Sequence, residues 1–252
     1  MKIKKMITII ALVCIISSSL MAITVNEATN ILKEIDEYSN FEGKSFSSTI
    51  SLISEDPEEG IDKTVVYQFR DDDNDKFLML IKEPSIKKGQ GYLKIEDNLW
   101  FYDPESRKFS HTSLSEQFND SDANNSDFTA SSLLADYKVT EVSEEMLGSY
   151  ETYVLNLEAL NNEVTYPNQK VWVSVTGSLI LKKEEFSKSN KLMRSSYYLN
   201  YIKLGNNLIP TKTIFKDELV EGKKTTITLS NVSTNDIPDS IFTKSYVERV
   251  NN

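Results

Sequence analysis

From Lys44 onward, apolar side chains recur at every second position, and this rhythm constrains the fold more than any other feature of the chain. Phe46, Ile50 and Leu52 are spaced by Ser and Thr, Val65, Tyr67 and Phe69 fall on alternate positions, and Phe77–Ile81 is a short continuous apolar run. A period of two places successive side chains on opposite faces of a pleated strand, one face buried and the other wet. Tyr92–Ile95 and Leu99–Tyr102 read as a hairpin across Glu96-Asp97-Asn98. Strands resume at Lys138–Val142, Glu151–Leu157, Lys170–Val175, Leu179–Phe186, Leu192–Leu204, Leu208–Phe215 and Thr225–Leu229. Roughly twelve strands joined mostly by short turns describe an antiparallel meander.

Two segments interrupt that rhythm. Thr24 to Glu27 matches a helix capping box, and Val25, Ala28, Ile31, Leu32, Ile35 and Tyr38 follow at helical spacing, with Asn26, Lys33, Glu34 and Glu37 off that face. Between Ser113 and Tyr137 the strand pattern stops. Asn119–Asp127 is Asn, Asp and Ser with a single Ala, and Thr129 is placed to cap a short helix carrying Leu133 and Leu134. Both interruptions have apolar faces to bury, and one face of the curved sheet is the simplest place. The expected fold is therefore mainly β with an α lid: a curved antiparallel sheet covered on one face by short helices, with room for an apolar ligand between them. No repeat, linker or shift in composition divides residues 23–252, which are expected to form one domain.

The first 22 residues read as an export signal rather than as part of that fold. Lys2, Lys4 and Lys5 precede an apolar stretch from Met6 to Ile16, and Leu20-Met21-Ala22 is a plausible cleavage site. The apolar run is too short to span a bilayer as a helix. Lipid attachment at Cys14 is disfavoured, because the bulky Val13 stands where that processing wants Gly or Ala. The expected compartment is the periplasm.

Composition removes most familiar chemistries. The chain has one His and one Cys, so neither a histidine metal site nor a zinc–thiolate cluster can be assembled. A net charge of −10 argues against a nucleic-acid surface. Paired carboxylates are the main catalytic device left, but Asp71-Asp72-Asp73 and Glu144-Glu145 fall in apparent turns, where charges are normally solvated. The Asp71–Asp75 run lacks the spaced Gly and distal Glu of a calcium loop and reads as a solvated hairpin tip. His111 reads as a hydrogen-bonded structural residue. Gly89-Gln90-Gly91 has no following helix and is no dinucleotide fingerprint. The expectation is a protein that is not an enzyme and needs no metal or cofactor.

Several segments taken together resemble the LolA-like family of outer-membrane lipoprotein-sorting proteins. Gly91-Tyr92-Leu93-Lys94 leading to Asn98-Leu99-Trp100-Phe101-Tyr102-Asp103-Pro104 is similar to that family's hairpin ending in Trp-x-Tyr-x-Pro. Ser126-Asp127-Phe128, with Leu133-Leu134 and Asp136-Tyr137 after it, resembles its Gly-Ser-Asp-Phe motif; Asn125 replaces the Gly, which suits a positive-φ turn if one is needed there. Val171-Trp172-Val173, Lys224-Thr225-Thr226 with Leu229-Ser230-Asn231-Val232, and Pro238-Asp239-Ser240-Ile241-Phe242-Thr243 resemble later elements in the family's order. The resemblance implies an open half-barrel with helices over its concave face. It also implies a periplasmic carrier that shields acyl chains of lipoproteins or lipids on the way to the outer membrane, with an inner-membrane donor complex and an outer-membrane acceptor as partners. The alternative is a non-enzymatic envelope sensor on the same fold, reporting lipids or lipoproteins to a membrane partner.

Candidate cavity residues follow from the pattern. Ile31, Leu32 and Ile35 form the N-terminal lid face, and Leu133 and Leu134 belong to the second lid element. Phe77, Met79, Ile81, Trp100 and Tyr102 are candidates for the sheet wall, provided that they share its concave side; a one-residue slip would reverse any of them. Arg70, after the Val65-Tyr67-Phe69 strand, has the reach to hydrogen-bond the lid closed, but the preferred reading is a solvent-exposed arginine.

Overall fold

A computed structural model describes residues 23–250; the expected export segment 1–22, with Cys14, lies outside the described residues. The first element, α1 (Val25–Ser39), starts where its capping box predicts. Thr24 Oγ1 accepts the Glu27 N–H at 3.2 Å and Glu27 Oε2 accepts the Thr24 N–H at 2.8 Å. These hydrogen bonds satisfy two otherwise orphaned donors of the first turn and hold the Glu27 carboxyl below its ordinary range. The helix buries Ala28, Ile31, Leu32 and Ile35 and ends at Asn40 in extended conformation.

The described residues after α1 form thirteen strands. They are β1 (Ser45–Asp56), β2 (Gly60–Asp71), β3 (Lys76–Glu83), β4 (Gly91–Ile95), β5 (Asn98–Asp103), β6 (Lys108–Thr112) and β7 (Tyr137–Leu147). Then follow β8 (Tyr150–Ala159), β9 (Asn168–Ser174), β10 (Ile180–Phe186), β11 (Leu192–Leu204), β12 (Asn207–Asp217) and β13 (Lys224–Ser233). All thirteen lie in one antiparallel, unclosed curved sheet of order β6-β5-β4-β3-β2-β1-β13-β12-β11-β10-β9-β8-β7. One strand more than the approximate count from sequence is present, because Lys108–Thr112 pairs along β5. Glu144 and Glu145 lie within β7 rather than in a turn. The two halves of the meander are sewn together by β1 and β13, with Ile50 opposite Leu229.

The sheet curves around α1, which packs on both β7 and β12 although four strands separate them. That concave face is covered by two lid elements. Over β8–β10, α1 and the single helical turn α2 (Leu133–Asp136) bury Ile31, Leu32, Ile35 and Leu133 against Leu155, Leu157, Val171 and Val173. Over β1–β4, the irregular segment before α2 buries Phe118, Ala123 and Phe128 against Ile50, Val66, Phe77, Met79 and Ile81. The second lid is thus mostly loop rather than helix.

The convex face has its own cover. Ile241, Phe242 and Val247, from the C-terminal stretch that ends in α3 (Lys244–Arg249), pack on Leu78, Leu80, Leu93 and Tyr102. Gly91 eases the close approach here, since a Cβ at that position would lie 3.1 Å from Leu80 Cδ2 and 3.3 Å from the Met79 carbonyl oxygen. β3 is therefore buried on both faces, which is why Phe77–Ile81 reads as an unbroken apolar run rather than an alternation.

Candidate functional site

One arginine ties the loop lid to the sheet at several points. Arg194 of β11 donates from Nε to Glu185 at 2.5 Å and from Nη2 to the same carboxylate at 2.8 Å. Its Nη1 and Nη2 reach both Asp127 oxygens, at 2.6 and 3.0 Å, and Nη1 also donates to the Asp122 carbonyl at 3.0 Å. All five guanidinium donors are used. Burial opposes the charge on Arg194, but Asp127 and Glu185 prevail and raise its affinity for the proton. Gln68 of β2 adds a second tie, donating from Nε2 to the Phe128 carbonyl at 3.0 Å.

The polar run Asn119–Asp127 is not a solvated loop, since Ser121, Asp122, Asn124 and Asn125 are buried. Asn125 opens the 3-10 turn Asn125–Phe128 and donates from Nδ2 to the Ser113 carbonyl at 2.8 Å. The positive-φ positions of this stretch are Asn119 and Asp120, so Asn125 does not serve a positive-φ turn. Asp122 accepts a hydrogen bond from Thr225 Oγ1 at 2.8 Å, yet burial pushes its carboxyl above the ordinary range.

The two lids are latched to each other. Asp36 on α1 accepts from Ser131 Oγ at 2.5 Å and from the Leu133 and Leu134 N–H groups at 3.0 and 2.9 Å. Asn40 pairs reciprocally with the Ser131 backbone: Oδ1 accepts its N–H at 2.6 Å and Nδ2 donates to its carbonyl at 2.7 Å. Beyond the helix, Asp72 accepts the Phe41 N–H at 2.8 Å while it receives Arg70 Nε and Nη2 at 2.9 and 2.6 Å. Arg70 is buried here, stacked near the Phe41 and Phe46 rings, and the expectation of an exposed arginine is corrected. Asp72 and Asp73, read from sequence as a solvated tip, instead hold the backbone that joins α1 to β1.

Between the lids and the sheet lies a cavity of about 240 Å³. Its roof is Ile35, Tyr38 and Ser126–Ser131; its floor includes Ile50, Ile180, Tyr198, Ile209, Phe215 and Ile227. A second recess of about 260 Å³ shares Lys183 and most of the 126–131 strip with the first, and is lined by Tyr137, Tyr166, Gln169, Glu185 and Arg194. Burial pushes the hydroxyls of Tyr198 and Tyr201 above their ordinary range and the Lys183 ammonium below its own. Among the described residues no group of three or more His, Cys, Asp or Glu could hold a metal ion, and no helix is long and apolar enough to cross a membrane.

Of the residues singled out from sequence, Ile35 lines the cavity and Leu133 borders the second recess. Ile31 and Leu32 are core residues between α1 and the sheet, and Leu134 is exposed. Phe77, Met79 and Ile81 do face the concave side, but Phe118 and Phe128 fill the space above them. Trp100 and Tyr102 do not share that side. Trp100 lies opposite Leu93, and Tyr102 packs with Leu93 and Leu78 on the convex face, so the five residues form no single wall. His111 is exposed on edge strand β6 and stacks on Trp100, 3.5 Å between ring centroids. The floor from β10–β13 was missed; its alternation marks Lys183 and Tyr198 as same-face residues but not as cavity residues.

An antiparallel half-barrel with a two-part lid over an internal cavity defines the class of this protein. A family model described only as "-like: Uncharacterized protein" matches residues 73–249. Comparison of structures is more specific. A LolA superfamily protein from Nitrosomonas europaea is 27% identical, with a TM-score of 0.76 over 87% of this chain and 98% of that one. An outer membrane lipoprotein-sorting protein domain from Vibrio parahaemolyticus is 17% identical, with a TM-score of 0.80 over 90% of this chain and 100% of that one. A DUF1329 family protein from Desulfovibrio piger ATCC 29098 is 18% identical, with a TM-score of 0.77 over 88% and 98%. No curated protein matches the sequence. The chain belongs to the LolA-like superfamily.

Proposed function

We propose that this protein is a periplasmic carrier that shelters acyl chains of lipids or lipoproteins beneath its lid. The observation that carries the reading is the cavity: an apolar floor on the concave face, roofed by elements fastened to each other largely through polar contacts. Taking one methylene out of water contributes about 0.8 kcal/mol, so an acyl chain in an aqueous compartment needs a cover that can also be removed. An apolar cavity of about 150 Å³ accommodates benzene, and by that scale the present one holds about ten carbons. A full-length membrane acyl chain, still more the several chains of a lipoprotein anchor, requires the lid to open. Polar latches suit that task, because water replaces each broken hydrogen bond and the net cost of opening stays small. Transfer of cargo needs no covalent step.

The test is mass spectrometry of an organic extract of the natively purified protein. Acylated lipid or lipopeptide in near-stoichiometric amount supports the carrier. A protein that emerges empty and takes up no fluorescent acyl probe overturns it.

A further inference from the structure

Two cations line the cavity, and they differ in one respect. Arg70 is spent on Asp72 through two hydrogen bonds. Lys183, on the concave face of β10 opposite Val171 and Ser196, has no hydrogen-bond acceptor and no carboxylate within ion-pairing distance among the described residues. The three carboxylates whose charge it feels are all engaged elsewhere: Glu185 and Asp127 by Arg194, and Asp36 by Ser131, Leu133 and Leu134. The Tyr198 ring lies 5.7 Å from its Nζ. A half-buried ammonium with no direct partner is only partly compensated for lost hydration, and desolvation already weakens its hold on the proton. A purely apolar cargo would be better served by an apolar side chain at this position.

We infer that Lys183 is the head-group anchor of the cavity, and that the ligand is an anionic amphiphile whose carboxylate or phosphate meets Lys183 while its chain lies against Ile50, Phe215 and Ile227. This rests on the carrier reading and narrows it, since the diacylglyceryl group of a lipoprotein anchor carries no such charge. Lys183 borders both the cavity and the polar recess, so a charged head there has the recess beside it and the apolar floor behind it.

Isothermal titration of the purified protein with decanoate, decyl phosphate and 1-decanol tests the inference, because all three chains match the room available. At least one anion is expected to bind about tenfold or more tighter than the alcohol, as an ammonium–anion hydrogen bond provides. Decanoate and decyl phosphate distinguish a carboxylate from a phosphate site. Lys183→Met should abolish the preference, leave decanol binding unchanged, and leave the thermal midpoint of the ligand-free protein unchanged or raised; Lys183→Gln serves as a second variant if the first does not fold. Equal affinities for the three ligands, or a preference that persists in both variants, overturn the role of Lys183 while the carrier reading stands. Binding of none of them overturns both.

Discussion

Replacing Arg194 by methionine removes five hydrogen bonds from the junction of lid and sheet, but the larger effect falls on the groups left behind. Glu185 has a side chain only 4% exposed and Asp127 one of 16%, and both lose their counter-ion. Breaking a buried ion pair by removing one partner costs about 3–5 kcal/mol, a large share of the 5–15 kcal/mol that stabilises a typical domain. Methionine keeps much of the apolar stem against Phe215, whose ring lies 4.4 Å from the guanidinium carbon, so lost packing is a minor part. In urea the unfolding midpoint should fall by about 1–2 M, read by the fluorescence of Trp100 and Trp172 and by far-ultraviolet circular dichroism. The diagnostic variant is Arg194→Met combined with Glu185→Gln and Asp127→Asn. If orphaned charge is the cause, the triple variant recovers much of the loss. A triple variant no more stable than Arg194→Met refutes the reasoning, and so does a single variant whose midpoint does not move.

Asp36→Ala removes the latch between the lids; amide hydrogen exchange at Leu133 and Leu134 should accelerate while global stability falls by only about 1–2 kcal/mol, and a uniform acceleration across the sheet would contradict a local latch. Asp122 binds its proton more tightly folded than unfolded, so its contribution to stability is complete below the ordinary carboxyl range and is lost as pH rises through the higher folded value. Asp122→Asn should therefore be at least as stable as the parent at pH 7 and lose part of the decline above about pH 4; thermal melts across that range check it, and a less stable variant at neutral pH counts against it. Phe128→Ala removes one of the two aromatic plugs of the loop lid, with an expected loss of about 3–5 kcal/mol and increased uptake of a hydrophobic dye; an unchanged unfolding midpoint would show that the plug is not packed.

The local half of the fold was legible because local rules decide it. Thr24 and Glu27 mark the start of α1, and the spacing of Ala28, Ile31, Leu32 and Ile35 gives its buried face. The strands were readable for the same reason, with the short β6 the weakest because Phe109 is the one apolar residue in its five. Legibility ended where distant parts of the chain meet. Alternation tells which residues share a face, not which strands become neighbours, so the joining of β1 to β13 and the cavity floor it creates left no local trace. The failure at Trp100 and Tyr102 is one of phase: paired through Leu93 to Leu78, they follow the even positions of β3, while Phe77, Met79 and Ile81 follow the odd ones. Asp72 was read as part of a solvated tip because polar residues usually are solvated, and nothing in the sequence marked Asp122 or Asn125 as buried. Their partners are backbone groups and hydroxyls that become visible only once the chain has folded.

The order of the strands has a mechanical consequence. β6 and β7 are consecutive in the chain yet form the two opposite rims of the sheet. The segment that joins them, residues 113–136, is therefore a bowstring strung from rim to rim across the mouth of the trough. Fixed at both ends, it cannot swing clear as a door does. α1 is different, being tied to the sheet covalently only through residues 40–44. Spreading the rims would draw Ser131–Leu134 away from Asp36 and free the helix to tilt.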